Sequence, residues 1–358
     1  MRHVNSLLRF LMLIRLVNES DKQRFMKRFF PSITIVLLLV FSLPAYAEQI
    51  EKKTDYLSIK LTPEFGLLNG TIYEYVFDSR CNNTGNKLSE LDWDLKNIPY
   101  FNFSADFDVL NYFYIGINGR IGLPADSGNM QDFDWLNSTP PSNHQEWIND
   151  SPTELTNYSI HNNKLIKYLS FYFNLGWNFH LPFEITLTPF LSYQYEIISF
   201  DGYDGYSIYK ANNFVRNEFS GKVISYSQET NSIFLGLKFS VDSIPRTSIY
   251  GKIFFSPALA FINAIDCHHA KSAAYKDTLN FLWEIQAQLG AQYKFNKKHS
   301  AGISGGIQFI PLSKGPSYNK SLGSNGLPAY GRWATDSVTS GGAKRLVFSV
   351  SLNYSFSL

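Results

Sequence analysis

The last stretch of the chain alternates strictly between apolar and polar residues. The apolar set is Leu346, Phe348, Val350, Leu352, Tyr354, Phe356 and Leu358. The residues between them, from Ser349 to Ser357, are mostly Ser and Asn. Because successive side chains of a β-strand point to opposite faces, this period of two predicts a strand with one apolar and one polar face.

The same alternation recurs at three places upstream. The apolar positions there all carry odd numbers: Leu169, Phe171, Phe173, Leu175, Trp177 and Phe179; Ile249, Ile253, Phe255, Leu259 and Phe261; Leu279, Phe281, Trp283, Ile285, Leu289 and Tyr293. Polar residues such as Asn174, Ser256 and Glu284 occupy even positions between them. An apolar face toward lipid and a polar face toward a lumen are typical of strands in a membrane β-barrel.

Ten such strands are predicted, near 55–77, 88–107, 111–123, 162–180, 184–202, 219–241, 247–268, 277–295, 299–311 and 342–358. Short turns are expected near 109–111, 181–183, 242–246 and 296–299, and long connections at 78–87, 124–161, 203–218, 269–276 and 312–341. Short periplasmic turns and long extracellular loops are the habit of outer-membrane barrels. The predicted fold class is all-β, a ten-stranded antiparallel transmembrane β-barrel. The alternative is a secreted β-sandwich, but such a fold should not show so many strands with aromatic outer faces.

The composition supports interleaved apolar and polar residues. Aromatic residues make up 16% of the chain and charged residues only 17%, whereas soluble domains have about 25% charged residues. The mean hydropathy is nevertheless −0.15, too low for a bundle of membrane helices.

The first 47 residues predict a leader rather than part of the barrel. A basic patch begins at Met26, an apolar run covers 33–43, and Ala45-Tyr46-Ala47 fits a small-x-small cleavage site. We expect residues 1–25 to be an upstream extension, a secretory signal ending at Ala47, and a barrel domain over 48–358. The alternative is a transmembrane anchor, for which the run is short, since a span needs about 20 apolar residues.

The net charge bears on which partners the protein binds, and the cysteine content bears on whether it contains a disulfide. Removing the leader takes away seven Lys/Arg and two Asp/Glu, so the formal charge changes from +2 to −3. The sequence therefore predicts no nucleic-acid partner, and we expect a monomer. Cys81 and Cys267 lie far apart in sequence; export permits a disulfide between them without requiring it.

Two pairs of polar side chains lie on the long-loop side. Asp132-Phe133-Asp134 falls in the connection after the third strand, and Asp266-Cys267-His268 ends the seventh. With apolar residues on odd positions, Asp266 and His268 should face the lumen and Cys267 the outside. By the same parity, Glu74 on the first strand faces inward. Taken alone, an Asp-x-Asp pair is as well explained by a turn, a cap or a weak Ca²⁺ contact, and an Asp-x-His pair by an ordinary surface. His269 adds a second histidine, but a zinc site needs three or four ligands.

Several of these segments together resemble the omptin family of outer-membrane aspartyl-type proteases. The segment from Gly128 to Trp135, with its Asp132-Phe133-Asp134 core, is similar to a loop motif of that family. The segment from Lys87 to Trp93 resembles its second-strand signature, and Asp266-Cys267-His268 its Asp-x-His motif. The resemblance covers the whole mature chain in strand order and loop pattern.

The resemblance implies an outer-membrane endopeptidase that cuts extracellular peptides or proteins, with no metal and no other cofactor in the reaction. His268 would take a proton from a water, Asp266 would hold the imidazole, and Asp132 and Asp134 would position the same water. Glu74 would bind substrate at a site that favours basic residues. A histidine with a neighbouring carboxylate is suited to this proton transfer near neutral pH.

The sequence departs from the family pattern at two sites. The second acid of the substrate pocket aligns with Ala264, so we expect a weaker or shifted preference for Arg and Lys. Lipopolysaccharide is an activator in the family. Tyr193 matches the lipopolysaccharide patch, but its acidic position and two basic positions are Tyr195, Ile197 and Glu229 here. The requirement for lipopolysaccharide is therefore left open.

Two other functions fit the same barrel. A non-catalytic adhesin or invasion factor would use the connections 124–161 and 312–341 to bind a host partner, since fold does not fix function. A small porin would need an open lumen, whereas side chains largely fill a barrel of about this size.

Overall fold

The computed structural model describes residues 56–78, 87–136 and 154–358. The expected leader, its boundary at Ala47, and Cys81 lie outside these residues. In the described parts of the chain, no helix is long and apolar enough to cross a membrane.

Within residues 56–78, 87–136 and 154–358, thirteen antiparallel strands make up one sheet. They are β1 (Leu57–Asp78), β2 (Lys87–Val109), β3 (Phe113–Gly122), β4 (Ala125–Asp134), β5 (Asn157–Trp177), β6 (Phe179–Leu181), β7 (Ile185–Tyr209), β8 (Arg216–Glu218), β9 (Lys222–Val241), β10 (Thr247–His268), β11 (Ala273–Lys294), β12 (His299–Ser321) and β13 (Ala334–Ser357). A 3-10 turn, Lys210–Asn212, follows β7.

In the described residues the sheet closes into a ring, and ten strand positions make up the wall of that ring. β3 and β4 lie end to end between β2 and β5, and both pair with each neighbour. β6 extends the β5 position, and the pairing of β5 with β7 completes the ring. A closed ring leaves no unpaired strand edge, which lipid could not satisfy. The prediction of a ten-stranded antiparallel barrel is confirmed.

Several strands are longer than the sequence predicted. β7 has 25 residues and β13 has 24, whereas a tilted strand crosses the apolar core with about 9–11. The extra residues all lie at the end opposite the short turns, which we call the mouth. The predicted loops at 124–161 and 312–341 therefore consist partly of strand, since β4 covers Ala125–Asp134 and β12 continues to Ser321.

The outward face carries the apolar band that the alternation predicted. Exposed members are Phe65, Phe101, Phe103, Ile117, Ile121, Phe171, Phe173, Ile253, Trp283, Ile285, Leu289, Ile303, Phe348, Val350 and Leu352. The inward face is polar around the level of Ser256, Glu284 and Gln286, all buried.

Leu279, however, does not lie on the outward face. It is completely buried and packs with the lumen residues, because β11 contains a one-residue irregularity. Three steps along β11, from Leu279 to Leu282, face two steps along β10, from Ile262 to Ala260. Phe281 within that stretch has a φ of 61°. A bulge of one residue exchanges the two faces beyond it.

Layers of side chains close the lumen directly below the mouth. Trp93 of β2 stacks on Phe200 and Tyr226, with ring centroids 5.7 and 5.5 Å away. Beside this aromatic layer, Arg345 of β13 forms a buried ion pair with Glu196 of β7. These layers occupy the space that a porin would need as a channel.

The Arg345–Glu196 pair crosses the barrel and yields a stability prediction. Arg345 also donates to Gln228 Oε1 at 2.8 Å, and its side chain is 2% exposed against 1% for Glu196. Arg345→Met should reduce the free energy of unfolding by about 3–5 kcal/mol, because a buried carboxylate loses its partner. Denaturant unfolding in detergent would measure this.

Two controls separate burial from charge. The exposed Arg216–Glu218 pair should matter little, so Arg216→Met should cost at most about 1 kcal/mol. Adding Glu196→Gln to Arg345→Met should recover part of the loss. An unchanged unfolding midpoint for Arg345→Met would contradict the role assigned to this pair.

Candidate active site at the barrel mouth

Asp266 and His268 lie on the inner face of β10, as the parity of that strand predicted. The prediction is correct although β10 contains an irregularity, at which it has two more residues than the facing part of β11. Four steps from Ser256 to Ala260 face two steps of β11, from Glu284 to Leu282. An insertion of two residues leaves the faces unchanged. Cys267 is buried on the opposite side of the strand from Asp266.

The two side chains contact each other directly. Asp266 Oδ2 lies 2.5 Å from His268 Nε2, and the Asp266 side chain is 4% exposed against 18% for His268. Tyr275 of β11 meets the imidazole edge-on, with ring centroids 5.5 Å apart. We call Asp266 and His268 the dyad. Because Nε2 contacts the carboxylate, Nδ1 is the ring nitrogen left for other contacts.

Asp132 and Asp134 approach from another wall of the barrel. They lie on β4, between β2 and β5, where Asp132 pairs with Leu91 and Asp134 with Ser89. The Ser89 hydroxyl donates to Asp132 Oδ1 at 3.2 Å. We call these two carboxyls the acid pair. The sequence placed them in a loop, where their direction could not be predicted.

Asp94 of β2 fixes the start of β4. Its backbone carbonyl accepts hydrogen bonds from Ser127 and Asn163, and its carboxylate accepts one from the Asn129 backbone N–H at 3.0 Å. The chain turns at Gly128 with a φ of 85° directly beside the Asp94 side chain. Glycine is favoured there because other residues rarely adopt that φ. Asp132 and Asp134 are thus held on a regular strand by its neighbours.

All four groups lie above the membrane. Asp266 pairs with Tyr275, which is eight residues beyond the outward-facing Trp283. At about 3.3 Å per residue and a tilt of about 40°, that distance is about 20 Å along the barrel axis. Asp266 is therefore in the mouth, above the apolar band of the wall.

Charges at the mouth act on one another across the opening. Burial raises the pKa of Asp132 well above its usual range, and the charge of Asp134 raises it further, while Lys271 and Ser89 oppose the shift. Burial also raises the pKa of Asp134, against the charges of Lys271 and His268. The influence of His268 on Asp134, and of Asp266 on Asp132, shows that the dyad and the acid pair share one electrostatic environment.

Glu74 lies in the same mouth, as predicted. It is 3% exposed, on the inner face of β1. Burial raises its pKa well above the usual range, and Asp266, Asp277 and Asp132 raise it further.

Asp277 and Lys271 are residues of the mouth that the sequence did not single out. Asp277 is 5% exposed and faces inward only because of the bulge at Phe281. Lys271, in the β10–β11 turn, acts on both members of the acid pair; although burial lowers its pKa, Asp134 and Asp132 raise it overall. Among the described residues, no cluster of three or more His, Cys, Asp or Glu is arranged to hold a metal ion.

Comparison with known proteins identifies the family of this chain. A family model described as "Omptin family" matches residues 54–326. The chain belongs to the omptin family. Family membership and the closed barrel together place this omptin in the outer membrane, with the mouth on the extracellular side.

Relatives and a solved structure agree with this assignment. The chain is 31% identical over 124 residues to the plasminogen activator of Yersinia pestis, which covers 35% of this chain and 38% of that protein. It is 26% identical over 215 residues to the outer membrane protease OmpP of Escherichia coli, 57% of this chain and 64% of that protein. These matches span less than two thirds of either relative. The crystal structure of the outer membrane protease OmpT of Escherichia coli superposes with a TM-score of 0.72 at 20% identity, over 87% of this chain and all of that one, which shows a shared fold.

The coupling within the acid pair can be tested directly. Asp134→Asn should lower the pKa of Asp132, because it removes a neighbouring negative charge that disfavours ionisation. Carboxyl ¹³C NMR titration in detergent micelles would measure the shift. The pKa of Asp277, raised to about 7 by burial and by other neighbours, is the internal reference and should not move. An unchanged pKa for Asp132 would mean that the two carboxyls do not interact.

Proposed function

We propose that this omptin is an endopeptidase of the outer membrane that hydrolyses peptide bonds of extracellular polypeptides. The observation that supports it most is that the dyad and the acid pair lie in the same mouth, on different walls of the barrel. An imidazole contacting a carboxylate, opposite two further carboxyls, can bind and activate a water. The names of the relatives, a plasminogen activator and an outer membrane protease, fit this activity.

In the proposed reaction the nucleophile is a water held between His268 and the acid pair. His268 Nδ1 takes one proton as the water oxygen attacks the carbonyl carbon of the scissile bond. Asp266 stabilises the imidazolium that forms. The same proton then passes to the leaving amine as the tetrahedral intermediate collapses, so that His268 returns to its neutral form.

The acid pair can hold the water while only one of its two carboxyls carries a negative charge. Because burial and a neighbouring charge disfavour double ionisation, their raised pKa values favour a state in which only one of the two carboxyls is ionised. A protonated carboxyl can donate a hydrogen bond while its ionised neighbour accepts one. The pair can thereby orient the lone pair of the water toward the substrate carbonyl.

The proposed substrates carry a basic residue next to the scissile bond. Glu74 is buried beside the dyad, and its Oε2 has no hydrogen-bond partner. A carboxylate in this position would bind a guanidinium or ammonium group of the substrate. The oligomeric state is proposed to be monomeric, since each barrel contains all of these groups.

His268→Ala should abolish cleavage while the barrel remains folded. Loss of a general base lowers the rate about 10²- to 10⁴-fold, measured as kcat on a fluorogenic basic peptide with refolded protein. His269→Ala is the matched control. His269 Nε2 contacts Ser225 Oγ at 2.9 Å, outside the dyad, and this variant should keep near wild-type activity. Cleavage by His268→Ala at the wild-type rate would refute the mechanism; cell adhesion without any peptidase activity would favour the adhesin.

Lipopolysaccharide is proposed to activate this omptin only weakly. Ile197 and Glu229 are direct partners on β7 and β9, and Tyr195 lies nearby on the same outer face. A glutamate on this face repels phosphate groups. Adding lipopolysaccharide to detergent-refolded protein should change kcat/KM by less than about threefold, whereas Glu229→Arg should increase the response, because one charge reversal alters the local field. Strict dependence of the unmodified protein on lipopolysaccharide would contradict this proposal.

A further inference from the structure

Ala264 stands where the omptin resemblance expects the second acid of the substrate pocket, yet a carboxyl is found directly beside it. Ala264 of β10 pairs with Asp277 of β11. Both are buried, at 2% and 5% exposure, and paired residues of neighbouring strands point to the same face. The carboxyl therefore comes from the adjacent strand, at the same height in the lumen.

The Asp277 side chain reaches across β12 toward the wall that carries Glu74. A Cβ atom on Gly341 of β13 would lie only 1.9–2.2 Å from the carboxyl atoms of Asp277, so the carboxyl rests on the backbone of that glycine. β13 is the neighbour of β1, where Val76 pairs with Gly341 and Glu74 with Ala343. Glu74 and Asp277 therefore approach one pocket from two sides.

Both carboxyls have an oxygen that the protein leaves unsatisfied. Glu74 Oε2 and Asp277 Oδ1 are buried without hydrogen-bond partners. Leaving such atoms buried and unpaired costs stability, and they are the groups that a cation would satisfy.

The electrostatics of the pocket favour a bound cation. Burial raises the pKa of Asp277 to about 7; Asp266 and Asp336 raise it too, while a hydrogen bond from Ser317 opposes them. The charge of Asp277 in turn raises the pKa of Glu74. In the described part of the chain, acids rather than basic side chains are the main charges acting on both groups. A positive side chain would relieve this repulsion.

The pocket is also placed correctly with respect to the dyad. Asp277 lies opposite Ala264, two residues below Asp266 on β10, which is about 7 Å along the strand. A substrate side chain next to the scissile bond could extend downward into the lumen between Glu74 and Asp277.

We propose that Asp277 is the second acid of the substrate pocket, and that with Glu74 it binds the guanidinium or ammonium group of a substrate residue next to the scissile bond. The proposal rests on the proposed function, because it names what determines specificity in that same site. The weaker or shifted basic preference expected from Ala264 is thereby replaced by a basic preference that Asp277 provides from the adjacent strand.

The test compares two peptides that differ only in charge, one with arginine and one with citrulline at the cleaved position. Asp277→Asn should reduce kcat/KM for the arginine peptide about 10- to 100-fold, because a buried charge-assisted contact is lost. Cleavage of the citrulline peptide should change by less than about twofold. Glu218→Gln, an exposed rim acid, is the matched control for net charge and should leave both rates unchanged.

A rescue variant distinguishes a specificity role from a structural one. Adding Ala264→Asp to Asp277→Asn returns one carboxyl to the same cross-strand pair, so the ratio of arginine to citrulline cleavage should recover. Equal ratios in wild type and Asp277→Asn would overturn the inference, even where both enzymes are active.

A binding measurement separates this inference from the proposed hydrolysis. Calorimetry on His268→Ala, with and without Asp277→Asn, reports affinity for the two peptides in the absence of cleavage. Preferential binding of the arginine peptide that disappears with Asp277→Asn supports the pocket, even when the wild-type protein cleaves nothing and the proposed function fails. Equal affinity for both peptides in both variants overturns the pocket.

Discussion

Closure of the backbone hydrogen-bond network is the constraint on which the rest of the structure depends. A sheet in lipid cannot leave an edge unpaired, so β5 must meet β7 once the other strands are placed. That ring sets β4 and β10 in different walls around the lumen and continues both above the membrane. Side chains distant in sequence, Asp132 on one wall and Asp266 on another, are consequently held by backbone pairing rather than by flexible loops. Rigid elements of this kind position a reactive constellation more accurately than loops do.

The charged side chains that line the lumen are paired differently at mid-depth and in the mouth. At mid-depth its charges are neutralised internally, as in the ion pair of Arg345 with Glu196, and aromatic stacking around Trp93 closes the space. In the mouth the negative charges are not neutralised in this way, because Glu74 and Asp277 each retain a buried carboxyl oxygen without a hydrogen-bond partner. Unsatisfied groups cost stability where they are buried. The unpaired carboxylate oxygens of Glu74 and Asp277 are thus available to a bound ligand.

Much of the fold could be predicted from the alternation of residues, and the limits of that prediction are local. The inward direction of His268 was correct because the irregularity in β10 inserts two residues and preserves the faces. Asp277 was missed because the bulge at Phe281 in β11 inserts one and exchanges them. The trace of that bulge in the sequence is Asp277 itself, a charged residue with the same odd parity as the outward apolar residues. The direction of Asp132 could not be predicted either, since nothing in the sequence showed that β4 continues the wall above Pro124.

Whether the dyad and the acid pair share a single water is the central claim, and a high-resolution crystal structure in lipid or detergent tests it most directly. We expect one ordered water within about 3.2 Å of both His268 Nδ1 and a carboxyl oxygen of Asp132 or Asp134, the reach of a hydrogen bond. A mouth in which these groups are turned toward lipid, or are too far apart to contact one water, would contradict the account.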